Sequence, residues 1–198
     1  VDAATEWRLL NRGLEIIRHH WREVPISIDT FRSDIAEQAI AMGADMIYDV
    51  SGANADPRTW ELAAKHHVPY VLTHAQPLAE PAMVNVLHFL EQHLDKLHRL
   101  GLADVVVDPG FGFGKTIEQN YSLLRQLDVL QTLAAPLLVG ISRKSMLYQP
   151  LQTTPDDVLA ATIAANTLAL ERGANILRVH DVAAARQAIK ICTLTSKH

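Results

Sequence analysis

The 198-residue chain is 48% hydrophobic and has a formal net charge of −4, with 18 Lys and Arg against 22 Asp and Glu. That is enough chain, and enough apolar side chain, for one domain with a substantial core. The slightly acidic balance speaks against a general binder of nucleic acid or of membrane surfaces, and the apolar runs are strand-sized, too short to cross a bilayer.

In chain order, helical patterns over 5–21, 32–42, 57–67, 82–100, 118–132, 156–172 and 181–193 alternate with strand-like runs at 25–28, 44–50, 68–73, 103–108, 136–141 and 174–180. The start, Val1-Asp2-Ala3-Ala4-Thr5-Glu6, is polar and is not expected to be a signal peptide. The runs are short, apolar and rich in β-branched residues, as strands covered on both faces are. Leu87, Leu90, Leu94 and Leu97 are spaced as a buried helical stripe, and Asn120, Leu123, Leu124 and Leu127 suggest another. Four helices end in small turns, at Gly43-Ala44, His67-Val68-Pro69, Gly101-Leu102 and Gly173-Ala174. The single Cys192 leaves no internal disulfide, suits a reducing cytoplasm, and reads as filler of the last helix.

Strand–helix alternation implies a parallel sheet, either doubly wound or closed as a (β/α)8 barrel. A barrel takes eight strands and about 250 residues. Six strands suit an open sheet, and equally a barrel without its first two strands.

The segment Val105-Val106-Val107-Asp108-Pro109-Gly110-Phe111-Gly112-Phe113-Gly114-Lys115-Thr116 is the most informative. A strand ends in an aspartate, and three glycines follow at alternate positions with two phenylalanines between them. It resembles a phosphate-binding P-loop but misses by one residue: Pro109 stands where the first glycine is required, and Pro has no N–H to give a phosphate.

Every strand-like run delivers polar groups at its C-terminal end: Asp29 and Thr30; Tyr48, Asp49 and Ser51; His74; Asp108; Ser142, Arg143 and Lys144; Arg178, His180 and Asp181. One such aspartate is usually a helix N-cap, which covers Asp49 and Asp181. Six strand tips together match the face on which barrel active sites assemble. Lys115, Arg143, Lys144, Arg178 and His180 could hold a phosphorylated ligand. Asp29 and Asp108 suit a heterocycle rich in N–H donors, and Phe111 and Phe113 offer flat surface to an aromatic ring. His88, His93 and His98 are five apart, about 140° around a helix, so they share no face. With His19, His20, His66 and His67 they read as solvated surface; no metal site made by the protein is expected.

These residues resemble the dihydropteroate synthases, folate-pathway enzymes in the pterin-binding family of (β/α)8 barrels. The resemblance runs along most of the chain. It rests on the Asp108–Thr116 segment, Gly140-Ile141-Ser142-Arg143-Lys144-Ser145, Arg178-Val179-His180-Asp181-Val182, Ser27-Ile28-Asp29-Thr30, and Gly43-Ala44-Asp45 leading to Asp49-Val50-Ser51-Gly52. It implies one α/β domain over 1–198, of TIM (β/α)8 barrel type, with six strands visible and the first two missing. It also implies a homodimeric cytoplasmic transferase that joins 6-hydroxymethyl-7,8-dihydropterin diphosphate to 4-aminobenzoate and is a target of sulfonamides. Lys144, Asp108 and Arg178 would be catalytic. Asp29, Tyr48, Asp108 and Lys144 would meet the pterin, Arg178 and His180 the diphosphate, and Phe113 with Lys144 and the Ser142–Arg143 turn the 4-aminobenzoate. Mg²⁺ would come with the diphosphate and a ligand from an N-terminal loop this chain lacks.

Three features depart from the family pattern. The loops of the type Asn-Val-Thr-Pro-Asp-Ser-Phe and Gly-Gly-x-Ser-Thr-Arg-Pro have no counterpart, Tyr48 replaces an asparagine, and a Met-His-Met-Arg/Gln-Gly run becomes Thr73-His74-Ala75-Gln76-Pro77. They imply little turnover by the chain as written. They also keep open a non-catalytic pterin-binding relative and a pterin-dependent methyltransferase of the same superfamily, although the Phe-Gly-Phe-Gly-Lys and Ser-Arg-Lys-Ser runs point away from the latter.

Overall fold

A computed structural model of the protein describes residues 1–52 and 55–195. Two compact units divide the chain, one of Val1–Thr73 with Gln92–Val106, the other of His74–Glu91 with Val107–His198. Their border runs through helix α4 (Ala82–Arg99) and strand β4 (Val105–Asp108).

In the first unit α1 (Ala3–His20), β1 (Ser27–Asp29), α2 (Ser33–Ala41), β2 (Met46–Asp49), α3 (Arg58–His66) and β3 (Tyr70–Thr73) alternate up to the opening of β4. The strands are parallel, and their register sorts the side chains. Asp29 pairs with Tyr48 and Tyr48 with Val71; Ile28 pairs with Ile47 and Ile47 with Tyr70. Paired residues in neighbouring strands point to the same face, and successive residues to opposite faces. Asp29, Tyr48 and Val71 therefore share one face, while Ile28, Ile47, Asp49, Tyr70 and Leu72 share the other. On that second face the Trp60 Nε1–H donates to the Tyr70 hydroxyl at 3.0 Å, and Tyr70 donates to Asp49 Oδ2 at 2.6 Å. The His93 and Trp60 rings meet at right angles with centroids 5.9 Å apart, so His93 belongs to a packed aromatic pair and not to bare surface. Burial of the Tyr70 phenol, reinforced by the neighbouring Asp49 carboxylate, pushes its pKa well up.

The second unit carries the end of β4, α5 (Ile117–Arg125), a 3-10 segment (Leu127–Leu133), β5 (Leu138–Val139), α6 (Ser145–Tyr148), a 3-10 turn (Pro155–Asp157), α7 (Leu159–Glu171), β6 (Ile176–Leu177) and α8 (Val182–Thr195). Strands β5 and β6 are parallel, Leu138 opposite Ile176, and a bridge joins Val107 to Leu137. The runs at 136–141 and 174–180 thus yield short ladders, since Pro136 cannot donate and both runs turn early into loops. The helix expected over 118–132 divides at Gln126. Beyond it, the threefold 3-10 repeat keeps Leu127 and Leu130 on one side, both fully buried.

All four helix-ending turns adopt left-handed backbone, with φ of 95° at Gly43, 52° at His67, 85° at Gly101 and 95° at Gly173. Both stripes are buried apart from the half-covered Leu87; Asn120 is 2% exposed. The fold is α/β: among the described residues six short strands follow the strand–helix order expected of the barrel class, parallel in β1–β3 and in β5–β6.

Candidate functional site

In the second unit the loop after β4 is built by its own glycines. Gly110, Gly112 and Gly114 take φ of 70°, 80° and 60°, open to glycine at little cost. A side chain at Gly110 would overlap the carbonyl oxygen of His74, and one at Gly112 would press on the Lys144 stem, its Cβ 3.0 Å from Cδ. The loop can therefore lie directly against both residues. Asp108, 2% exposed, accepts from the Gly110 N–H at 2.7 Å. Asn120, on α5, accepts from the Gly112 N–H at 2.8 Å and donates to Thr116 O at 2.7 Å. Sequence reading placed Asn120 only in a packing stripe; its signal was being the one amide among leucines.

Phe111 is fully buried and serves as core, whereas Phe113 stays half-exposed with Lys144 Nζ 4.7 Å from its ring centroid. Lys144 also donates to Phe111 O. Burial lowers the Lys144 pKa, and Arg178 adds to that while Asp108 opposes it.

The proposed cations separate into two kinds. Lys115 is turned inward: its ammonium lies 2.8 Å from His74 O, 2.9 Å from Gly110 O and 3.1 Å from Phe113 O. Burial lowers its pKa from 10.5 to about 8, with Asp108 opposing the shift. Arg143, at φ 56°, is neutralised by Asp181 at 2.8 Å and Asp156 at 2.9 Å. Lys144, Arg178 and His180, by contrast, line a cavity of about 390 Å³ with Gly140, Ser142, Arg143 and Val179. Ser142 Oγ accepts from the His180 N–H at 3.2 Å and lies 2.9 Å from its Nδ1, which fixes the ring. Asp181 and Asp156 thus offset the Arg143 charge at this cavity. Asp108, Phe113, Lys144, Arg178 and His180 are thus all placed in one unit.

In the first unit, Asp29 stands exposed at the end of β1, and Tyr48 is 5% exposed on the same strand face. Asp49 is no helix cap: its Oδ1 accepts from the Ser51 N–H at 2.8 Å and the Ser51 hydroxyl at 2.6 Å, beside the Tyr70 bond. Asp181 precedes α8, but its carboxylate goes to Arg143. Among the described residues no three His, Cys, Asp or Glu converge as metal ligands. No described helix is long and apolar enough to cross a membrane.

A family model described as "Pterin binding enzyme" matches residues 1–180. Dihydropteroate synthase of Synechocystis is 40% identical over 197 residues, covering 92% of this chain and 68% of its own length. Dihydropteroate synthase from Thermus thermophilus, solved in complex with 6HMPPP, is 37% identical at a TM-score of 0.90, covering 98% of this chain and 78% of that one. The Yersinia pestis enzyme, solved with a sulfonamide drug complex, is 32% identical at a TM-score of 0.93, covering 98% and 74%. The chain spans about two thirds of the length of the curated relatives it matches.

Proposed function

Because this chain belongs to the pterin-binding enzyme family, we propose that it acts as a dihydropteroate synthase. It would condense 6-hydroxymethyl-7,8-dihydropterin diphosphate with 4-aminobenzoate in folate biosynthesis. The observation that carries this reading is the joining, in one unit, of Asp108 and its glycine loop to the Phe113–Lys144 wall and to the Arg178–His180 cavity. Asp108 would accept from pterin N–H groups, and Lys144 would meet the polar edge of the ring. Arg178 and His180 would hold the diphosphate, and Phe113 with Lys144 would pack the arylamine. Asp29 and Tyr48 are assigned to the pterin through the family resemblance.

In the reaction the bond between the pterin methylene carbon and the diphosphate oxygen breaks, and the electron pair leaves with diphosphate. The amine nitrogen of 4-aminobenzoate then bonds to that carbon and releases a proton to solvent or to the departing diphosphate. Cationic groups fixed at the diphosphate lower the barrier because they stabilise charge that grows in the transition state. A carboxylate at the pterin favours the developing cation on the ring. Mg²⁺ would travel on the diphosphate and add to the stabilisation of the leaving group. Sulfonamides would compete as arylamine mimics. A cytoplasmic homodimer completes the proposal; the dimer is supported by exposed apolar side chains on α7 (Leu159, Leu168) and α8 (Val182, Ile189, Ile191, Leu194), and the compartment by the lone Cys192.

Tyr48, buried where the resemblance implies an asparagine, favours a second reading: a relative that binds pterin with little turnover. The test is diphosphate release with both substrates and Mg²⁺, run beside direct binding of the pterin diphosphate. Binding with turnover supports the synthase, binding without turnover supports the second reading, and failure to bind refutes both.

A further inference from the structure

Lys115 has four acceptors around one ammonium. Besides the carbonyl oxygens of His74, Gly110 and Phe113, its Nζ lies 3.1 Å from His74 Nδ1. An ammonium has three N–H groups and no lone pair, so all of its donors are engaged within the protein. For Nδ1 to accept, the His74 ring must carry its proton on Nε2. That ring is buried, 3% exposed, and held edge-on by Phe89 at 4.8 Å. Lys115 is therefore not placed to grip a phosphate, although its position in the motif suggests that role.

We infer that Lys115 is a positioning residue, which clamps the glycine loop to the His74 backbone so that Phe113 and Lys144 form one binding wall. Three observations converge. The loop passes so close to His74 that a side chain at Gly110 would overlap its carbonyl oxygen, and the same added Cβ would lie 3.3 Å from Lys115 Nζ. The three carbonyls bound by Lys115 span residues 74, 110 and 113, the last being that of the ring beneath Lys144. Lys144 in turn bonds Phe111 O, so displacement of the loop would move both members of the wall together. Lys115 thus acts through Phe113 and Lys144, without touching substrate. What the wall receives, an arylamine beside the pterin, rests on the reading proposed above; the clamp itself rests on the geometry.

The experiment compares the wild-type chain with Lys115→Met, which keeps the apolar stem and removes the donors. Amide hydrogen exchange, measured without substrate, should quicken at Gly110, Gly112 and Phe113 by on the order of 10-fold or more, with β5 and β6 unchanged. In turnover, KM for 4-aminobenzoate should rise on the order of 10-fold while kcat stays within about 3-fold, the pattern of lost ground-state positioning. If Lys115→Met does not fold, the lysine Nζ resonances of the wild-type chain decide: Lys115 should show ammonium protons protected from solvent. Unchanged exchange at those three amides, or a Lys115 resonance as labile as those of surface lysines, overturns the clamp. A fall in kcat with unchanged KM overturns the positioning role. Absence of turnover in the wild-type chain refutes the synthase reading instead, and the exchange result still decides the clamp.

Discussion

Two lysines in adjoining loops have opposite consequences. Lys144 faces the cavity and sits over an aromatic ring, so Lys144→Met should lower affinity for the pterin diphosphate by on the order of 10-fold or more. The melting temperature should change little, since removal of a partly buried charge offsets the lost bond to Phe111 O. A drop in stability with unchanged affinity would reverse that assignment. Lys115 has a linkage signature instead. Its pKa falls from 10.5 to about 8 on folding, so between those values the unfolded chain holds a proton that the folded chain sheds. Its contribution to stability therefore rises as pH rises from about 8 to about 10.5. Denaturation of wild type and Lys115→Met at pH 7.5 and 9.5 should show the difference moving in favour of wild type at the higher pH. Tyr48 is the residue whose replacement should gain function: Tyr48→Asn restores an amide that both donates and accepts, and should raise pterin affinity and turnover together. Unchanged binding in a titration would remove Tyr48 from the site.

At the scale of the element, α5 and the loop before it act as one piece. Thr116 and Gln119 form a capping box at its start, with bonds of 3.2 and 3.0 Å, and Asn120 reaches back to Gly112. Asn120→Ala removes the buried amide that accepts from the Gly112 N–H and donates to Thr116 O, and should destabilise by about 1–3 kcal/mol. Thr116→Ala, which removes only a cap, should cost about 1 kcal/mol. Chemical denaturation of the two variants checks the order, and a smaller effect at Asn120 than at Thr116 would contradict it. The second-face network of Trp60, Tyr70 and Asp49 is likewise structural, which is why the strand-end aspartate at 49 belongs with the core, whereas Asp29 stands on the opposite face of the sheet.

Among the described residues, β1 at one end of the four-stranded sheet and β6 beside β5 pair on one side only. Unpaired N–H and C=O groups along a strand edge recruit other chains. The exposed apolar residues of α7 and α8 add a second route to association. The 198-residue chain is therefore expected to self-associate, and light scattering that returns a stable monomer at micromolar concentration would count against this.

Alternation of strands and helices, the turns at Gly43, His67, Gly101 and Gly173, the buried leucine stripes and the polar strand ends were all legible in the sequence. Each depends on neighbours within a few residues: periodicity, side-chain branching and the freedom of glycine at positive φ. The glycine loop was legible for the same reason. What only the tertiary structure decided is which polar group meets which. Lys115 lies 41 residues from His74, and Arg143 lies 38 from Asp181. Those pairings, set by how strands and loops come together, turned two of the five candidate cations into supports. They left Lys144, Arg178 and His180 to line the cavity. Strand register did the same for Tyr48 and Asp49: adjacent in sequence, they fall on opposite faces because successive side chains in a strand must point opposite ways.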